Sequence, residues 1–222
     1  IHNQFTEQFS VNKLANLENS NSIYIGFFGL FFLTLVSLAS SLFVAHGFIH
    51  NIIIHLIGII LFIFISASNK KKFLKFIIII SILSFIAVLI SKTHDDFSYY
   101  HFPFTKYLTE QKIIFGMGHL NHGYNLLSSL FFLNSTFYLP YIEYYSFHFS
   151  LIFFLIFFNY FVIKEIQRIE KNDLIKYLYI FAFVFFNLSF NRLAEYGTDK
   201  AGQLLIVLII IKLFELICFD EN

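Results

Sequence analysis

Whether the run YNLLSSLFFLNSTFYL, residues 124–139, crosses a membrane sets the topology of the whole chain. The run is apolar, yet it falls short of the roughly 20 residues that span a bilayer. It lies in a chain that is 58% hydrophobic and 13% charged, where a soluble domain averages about 25% charged residues. That balance reads as an integral membrane protein, with the lipid bilayer as a partner and no basic tract for nucleic acid. Cys218 is the only cysteine, so an internal disulfide and a cysteine metal cluster are excluded. The 34 phenylalanines read as lipid-facing bulk rather than an aromatic binding surface.

Six other runs read as spans: 22–44, 52–66, 76–90, 145–163, 174–190 and 201–218. His46, Gly47, His50 and Asn51 read as the turn between the first two, and Lys70, Lys71, Lys72 and Lys75 as a cytoplasmic anchor. Charge then resolves the ambiguous run. If residues 124–139 do not cross, ten of the 15 basic residues fall on one side, leaving Lys92, Lys106, Lys112, Arg192 and Lys200 on the other. If they do cross, the split is seven to eight and the positive-inside bias vanishes. The expectation is therefore an all-α fold: a polytopic transmembrane helix bundle of about six spans with a cytoplasmic N-terminus. Residues 124–139 become a juxtamembrane or re-entrant helix on the outer face, which is allowed where protein or water covers it. Residues 1–21 form a polar N-terminal segment, residues 22–218 a single transmembrane domain, and residues 91–141 its outer loop with juxtamembrane helices. A chain opening at Ile1, with its last span close to the other terminus, reads as part of a longer protein.

The outer loop opens with THDDFSYYHFP, residues 93–103. Carboxylates near membrane spans are costly and seldom idle. Asp95 and Asp96 repel one another, so a low-dielectric boundary raises one pKa and separates an acid from a base, or the pair holds a metal. A carboxylate within hydrogen-bond reach of a hydroxyl is placed to deprotonate it. In a helical segment Tyr100 lies one turn after Asp96 on the same face, with His101 beside it. The competing role for either aspartate is a helix cap. Asp199, in EYGTDKAGQ (residues 195–203), stands at the outer start of the last span, where a carboxylate offsets the helix dipole. His94, His101, His119 and His122 lack zinc-type spacing and read as interfacial groups, His101 being the one to pair with Asp96 if a metal binds. Lys92, Lys106, Arg192 and Lys200 are placed for a phosphate or for lipid headgroups. Lys212 and Glu215, three apart, pair on one helix face as a structural contact.

The order of these features resembles the GT-C superfamily of membrane glycosyltransferases. More narrowly, it resembles a group of bacterial GT-C-like membrane proteins whose loop reads YD-x-G-L-YH, then W/Y-L-x-E-Y, then G-L-x-x-L-H and G-F-N-S. The matching positions are Asp96, Tyr100 and His101; then Tyr107, Leu108 and Glu110; then Gly116, Leu120, Gly123, Tyr124 and Asn125. A later S-P-D-L-P motif corresponds to Gly197, Thr198 and Asp199, and the resemblance runs from Gly26 onward. Phe97 and Ser98 stand in place of the glycine after the Asp, both prolines of the second motif are missing, and the mid-loop Arg has no counterpart.

The resemblance implies transfer of a sugar from a polyprenyl-phosphate-linked donor to an envelope glycan or lipid acceptor, on the outer face of a bacterial inner membrane. It implies that Asp96, with Asp95 beside it, activates the acceptor hydroxyl or helps hold a divalent cation. Asp199 then supports the site from the second loop, and Tyr100, His101, Arg192 and Lys200 contact substrate. Metal use varies across the superfamily, so the cation stays open. The alternative class is a carrier or flippase, or a non-catalytic membrane subunit of envelope polysaccharide assembly. Carriers place ionisable groups near the membrane midplane, whereas the acidic groups here sit at span ends.

Overall fold

The computed structural model describes residues 22–65, 74, 77–83, 85, 96–125, 128–169, 174–189 and 199–219. Over these residues the protein is all-α, with no strand. The helices are α1 (Ser22–Ser41), α2 (Phe48–Ile65), α3 (Phe102–Glu110), α4 (Ser129–Ser135), α5 (Phe149–Arg168), α6 (Leu174–Leu188) and α7 (Asp199–Phe219). Residues 77–83 are also helical, within the expected run 76–90. A π-helical turn, Phe97–His101, leads into α3, and 3-10 turns occupy Met117–His119, His122–Asn125 and Glu143–Ser146. The expected runs beginning at residues 22, 52, 145, 174 and 201 thus each coincide with a helix.

Two local expectations are corrected. His50 and Asn51 do not belong to the turn between the first two runs; they lie in the first turn of α2. The Asn51 amide is the reason, because it donates to the carbonyls of His46, Ser135 and Tyr138 at 2.8, 2.8 and 2.9 Å. The helix therefore starts early enough to clamp the connection and α4 together. The helix expected over residues 124–139 shrinks to the seven residues of α4. Ser128 caps its start by accepting from the Leu130 amide. At its end Ser135 and Thr136 turn their hydroxyls back onto the Phe132 and Leu133 carbonyls at 2.8 and 2.7 Å. Such side-chain bonds compete with helix propagation.

Packing fixes the direction of each helix. Tyr24, near the start of α1, meets Phe161, near the end of α5, with ring centroids 5.6 Å apart, so α1 and α5 run antiparallel. The last turn of α5 meets the second half of α7 through Glu165 and Lys212, so these two run parallel. Tyr179, early in α6, reaches Glu215, so α6 runs against both. One end of the bundle therefore collects the start of α1, the end of α5, the start of α6 and the end of α7. The other end collects the start of α7 and the α1–α2 connection.

The main core lies where α5 meets α1, α4, α6 and α7 and includes Leu133, Leu151, Phe158, Val162, Tyr179 and Leu204. A second core, Phe104, Leu108, Phe131 and Phe132, fixes α3 on α4. Close approach explains Gly26: a Cβ there would meet the Phe157 ring at 2.9 Å.

The outward faces are apolar. On α2, Ile49, Ile53, Ile57, Ile60 and Phe64 are exposed, as are Phe28, Phe31 and Phe32 on α1 and Ile206, Ile209, Ile210 and Leu213 on α7. Among the described residues one helical run, Glu143–Arg168, is long and apolar enough to cross a membrane by length and composition. Gly26–Ser41, Phe48–Phe64 and Leu174–Leu188 are apolar and shorter.

Candidate functional site at the acidic end of the bundle

Asp96 begins the π-helical turn. Its backbone carbonyl accepts from the Tyr100 and His101 amides at 3.1 and 3.3 Å, while its side chain makes no capping hydrogen bond to the turn. Tyr100 follows one turn later. Its ring packs on His101 and Phe131, with centroids 4.3 and 6.1 Å away. Burial holds the Tyr100 hydroxyl above its usual pKa, and the charges of Asp96 and then Asp199 push it the same way. At neutral pH that hydroxyl is protonated and has a proton to donate. The charges of the two acidic segments, far apart in sequence, thus both raise this pKa. Asp199 is exposed in the first turn of α7, and Lys200, half-buried, follows it.

The support beneath Tyr100 is specific. Gly123 lies so close that a Cβ there would meet the Tyr100 Cβ at 2.6 Å. Asn121 ties this loop down by accepting from the Gly123 amide at 2.9 Å and donating to the Tyr99 carbonyl at 3.3 Å.

The other candidates divide. Asp95 and Arg192 lie outside the described residues, as do His94 and Lys92. His101 is only 3% exposed and packs on Phe131 at 5.3 Å, so it braces Tyr100 rather than facing outward. His119 and His122 are exposed in the loop. Lys106 pairs with Glu110 at 3.7 Å and sits 5.6 Å over the Tyr144 ring. Among the described residues no three His, Cys, Asp or Glu side chains converge as metal ligands. Asp96 with His101 alone does not supply the oxygen-rich shell that a divalent cation such as Mg2+ or Ca2+ takes.

Two polar clusters were not legible as clusters in the sequence. His46 is fully buried; its Nε2 lies 2.9 Å from Ser40 Oγ and its Nδ1 2.6 Å from Ser135 Oγ. Its ring stacks on His50 at 4.6 Å. Burial, helped by the neighbouring His50, lowers the His46 pKa to about 4. At the opposite end of the bundle Lys212 and Glu215 do pair, at 2.8 Å, and the contact is wider than the expected pair. Glu165 joins Lys212 at 3.0 Å and Arg168 at 2.7 Å, Arg168 also bonds Glu215, and Tyr179 donates to Glu215 at 3.1 Å. The signal was a second charged pair at i, i+3, Glu165 and Arg168, in the reverse order of charge.

An all-helical bundle with apolar outer faces and one acidic, tyrosine-centred end is the class that fold and site define. Within it, the chain belongs to the family described as Domain of unknown function (DUF8201), which it matches over residues 9–219. No curated protein and no solved structure matches the chain.

Proposed function

We propose that this protein is a membrane glycosyltransferase of GT-C type, embedded as a bundle of about six spans, with its acidic end on the outer face. Membrane embedding is supported by the rows of large apolar side chains on the outward faces of α1, α2 and α7. A water-soluble monomer rarely exposes contiguous apolar surface beyond a few hundred Å2. The helices α1, α2, α5 and α7 have 20, 18, 20 and 21 residues, and at about 1.5 Å per residue they approach or reach the hydrocarbon thickness.

The catalytic reading is carried by the placing of Asp96 one turn before Tyr100, with the charges of Asp96 and Asp199 both bearing on the Tyr100 hydroxyl. Asp96 takes the proton of an acceptor hydroxyl as that oxygen bonds to the anomeric carbon of the donor sugar. The bond from that carbon to the polyprenyl phosphate breaks, and its electron pair leaves with the phosphate. Tyr100, held protonated, donates a hydrogen bond to the sugars, and Lys200 offers positive charge to the departing phosphate. A carrier reading gains little, because the buried ion cluster lies in the last turn of α5 and the second half of α7 rather than halfway along them.

The test is complementation of a deletion strain, with envelope glycans compared by mass spectrometry. Asp96→Asn abolishes the protein-dependent glycan while the amount of protein in the membrane is unchanged; Ser98→Ala, two residues on and exposed, restores it. A normal glycan profile with Asp96→Asn removes Asp96 from the mechanism.

A further inference from the structure

The loop that follows α3, together with the end of the first 3-10 turn, carries three large apolar side chains with little protein over them. Ile114, Phe115 and Leu120 are 53%, 86% and 84% exposed. They surround a hollow of about 290 Å3, which Tyr107 and Met117 also line. The shape is built in: Gly116 adopts φ 90°, a conformation that side chains disfavour, and reverses the chain immediately after Phe115. The Tyr107 hydroxyl donates to the Lys112 carbonyl at 2.8 Å and pins the loop's start.

The level of this loop is fixed as well. The Ile113 amide donates to the Ser41 carbonyl at 2.9 Å, so the loop leaves the protein beside the last turn of α1. At that level Leu42, Phe43 and Val44 are themselves exposed, Phe43 by 76%. The apolar surface that runs along α1 therefore does not stop at the helix end. It continues across residues 42–44 toward the tip at Phe115. Lys112, exposed at the base of the tip, puts a cation where lipid phosphates would lie. Apolar surface with a cation at its edge is what binds a bilayer interface.

From this continuity we infer that residues 113–120 form a foot embedded in the outer leaflet, with Phe115 and Leu120 among the acyl chains. The inference rests on the membrane reading above and adds a second anchor beyond the spans. Its consequence is positional: α3, which continues the Tyr100 turn, is tethered to the lipid surface at its far end. The acidic site is thereby held at a fixed height above the headgroups, within reach of a lipid-borne substrate.

Single cysteines in a Cys218→Ser background test this. Phe115→Cys, Leu120→Cys, Ile60→Cys on α2 and Ser98→Cys each carry an environment-sensitive fluorophore, in full-length protein reconstituted with chain-brominated phosphatidylcholine. The expected result is quenching at positions 115 and 120 comparable to that at 60, with position 98 unquenched. Quenching at 60 but water-like emission at 115 and 120 overturns the foot and leaves the membrane reading standing. Blue-shifted but unquenched emission at 115 and 120 overturns it in favour of a protein cover. No quenching at any position, 60 included, overturns the membrane reading and the foot together.

Discussion

Tyr100 is the residue whose pKa the charges of both acidic segments raise, and its position depends on a glycine. At Gly123 an added methyl would overlap the Tyr100 side chain at its Cβ, which cannot swing away as a flexible tip would. Gly123→Ala is expected to lower stability by about 1–3 kcal/mol and to reduce activity with Tyr100 displaced; unchanged thermal unfolding would show that the turn yields freely. His46 makes a separate prediction. Its pKa falls from 6.5 toward about 4 on folding, so the unfolded chain holds the proton more tightly. The stability tied to neutral His46 is therefore complete above pH 6.5, is lost as pH falls toward 4, and changes no further below that. The loss is on the order of 3 kcal/mol. Unfolding of the detergent-solubilised protein at pH 7 and pH 4 measures it, and His46→Asn should shrink the difference by about that amount.

At the scale of elements, the ion cluster sets how α5 lies against α7. Along α5 the acid precedes the base, Glu165 then Arg168; along α7 the base precedes the acid, Lys212 then Glu215. Parallel packing matches each charge with its opposite. Antiparallel packing in the same register would set Glu165 against Glu215. The carboxylates are the buried partners, with side chains 8% and 10% exposed, whereas the Arg168 side chain is 55% exposed. Removing a buried charge strands its partners, so Glu215→Gln is expected to cost roughly 3 kcal/mol. Arg168→Ala should cost about 1 kcal/mol or less, as exposed pairs do. Chemical denaturation of both variants checks the order; a larger loss for Arg168→Ala would contradict it. The short α4 follows a different rule. Its serine and threonine hydroxyls fold back on the helix, and Leu130, Phe131, Phe132 and Leu133 are buried in both cores, so it is an internal brace.

For the whole molecule the decisive property is which groups share an end. The directions of α1, α5, α6 and α7 put the Tyr100 turn and the start of α7 at one end and the ion cluster at the other. Across a membrane those ends face opposite compartments. Cysteines at Ser98, Thr198 and Gln167, again with Cys218→Ser, report this in intact cells with an impermeant thiol reagent. Positions 98 and 198 should react and position 167 should not. Opposite labelling at 98 and 198 would separate the two aspartates and end the reading of a shared site.

The sequence determined that the described residues are helical and strand-free, where most of their helices lie, and that Asp96 and Tyr100 sit one turn apart. These follow from apolar run length and local spacing, which do not depend on distant residues. It also marked Lys212 and Glu215 as a pair, because three residues is a contact distance on any helix. It did not show that the charges of Asp96 and Asp199 both raise the pKa of Tyr100, that His46 is locked between Ser40 and Ser135, or that Glu165 and Arg168 complete the ion cluster. Those contacts join residues far apart in the chain, and only the packing directions of the helices bring them together. The length of α4 is of the same kind: its apolar composition permits a longer helix, and hydroxyl back-bonding with burial between two cores leaves it seven residues.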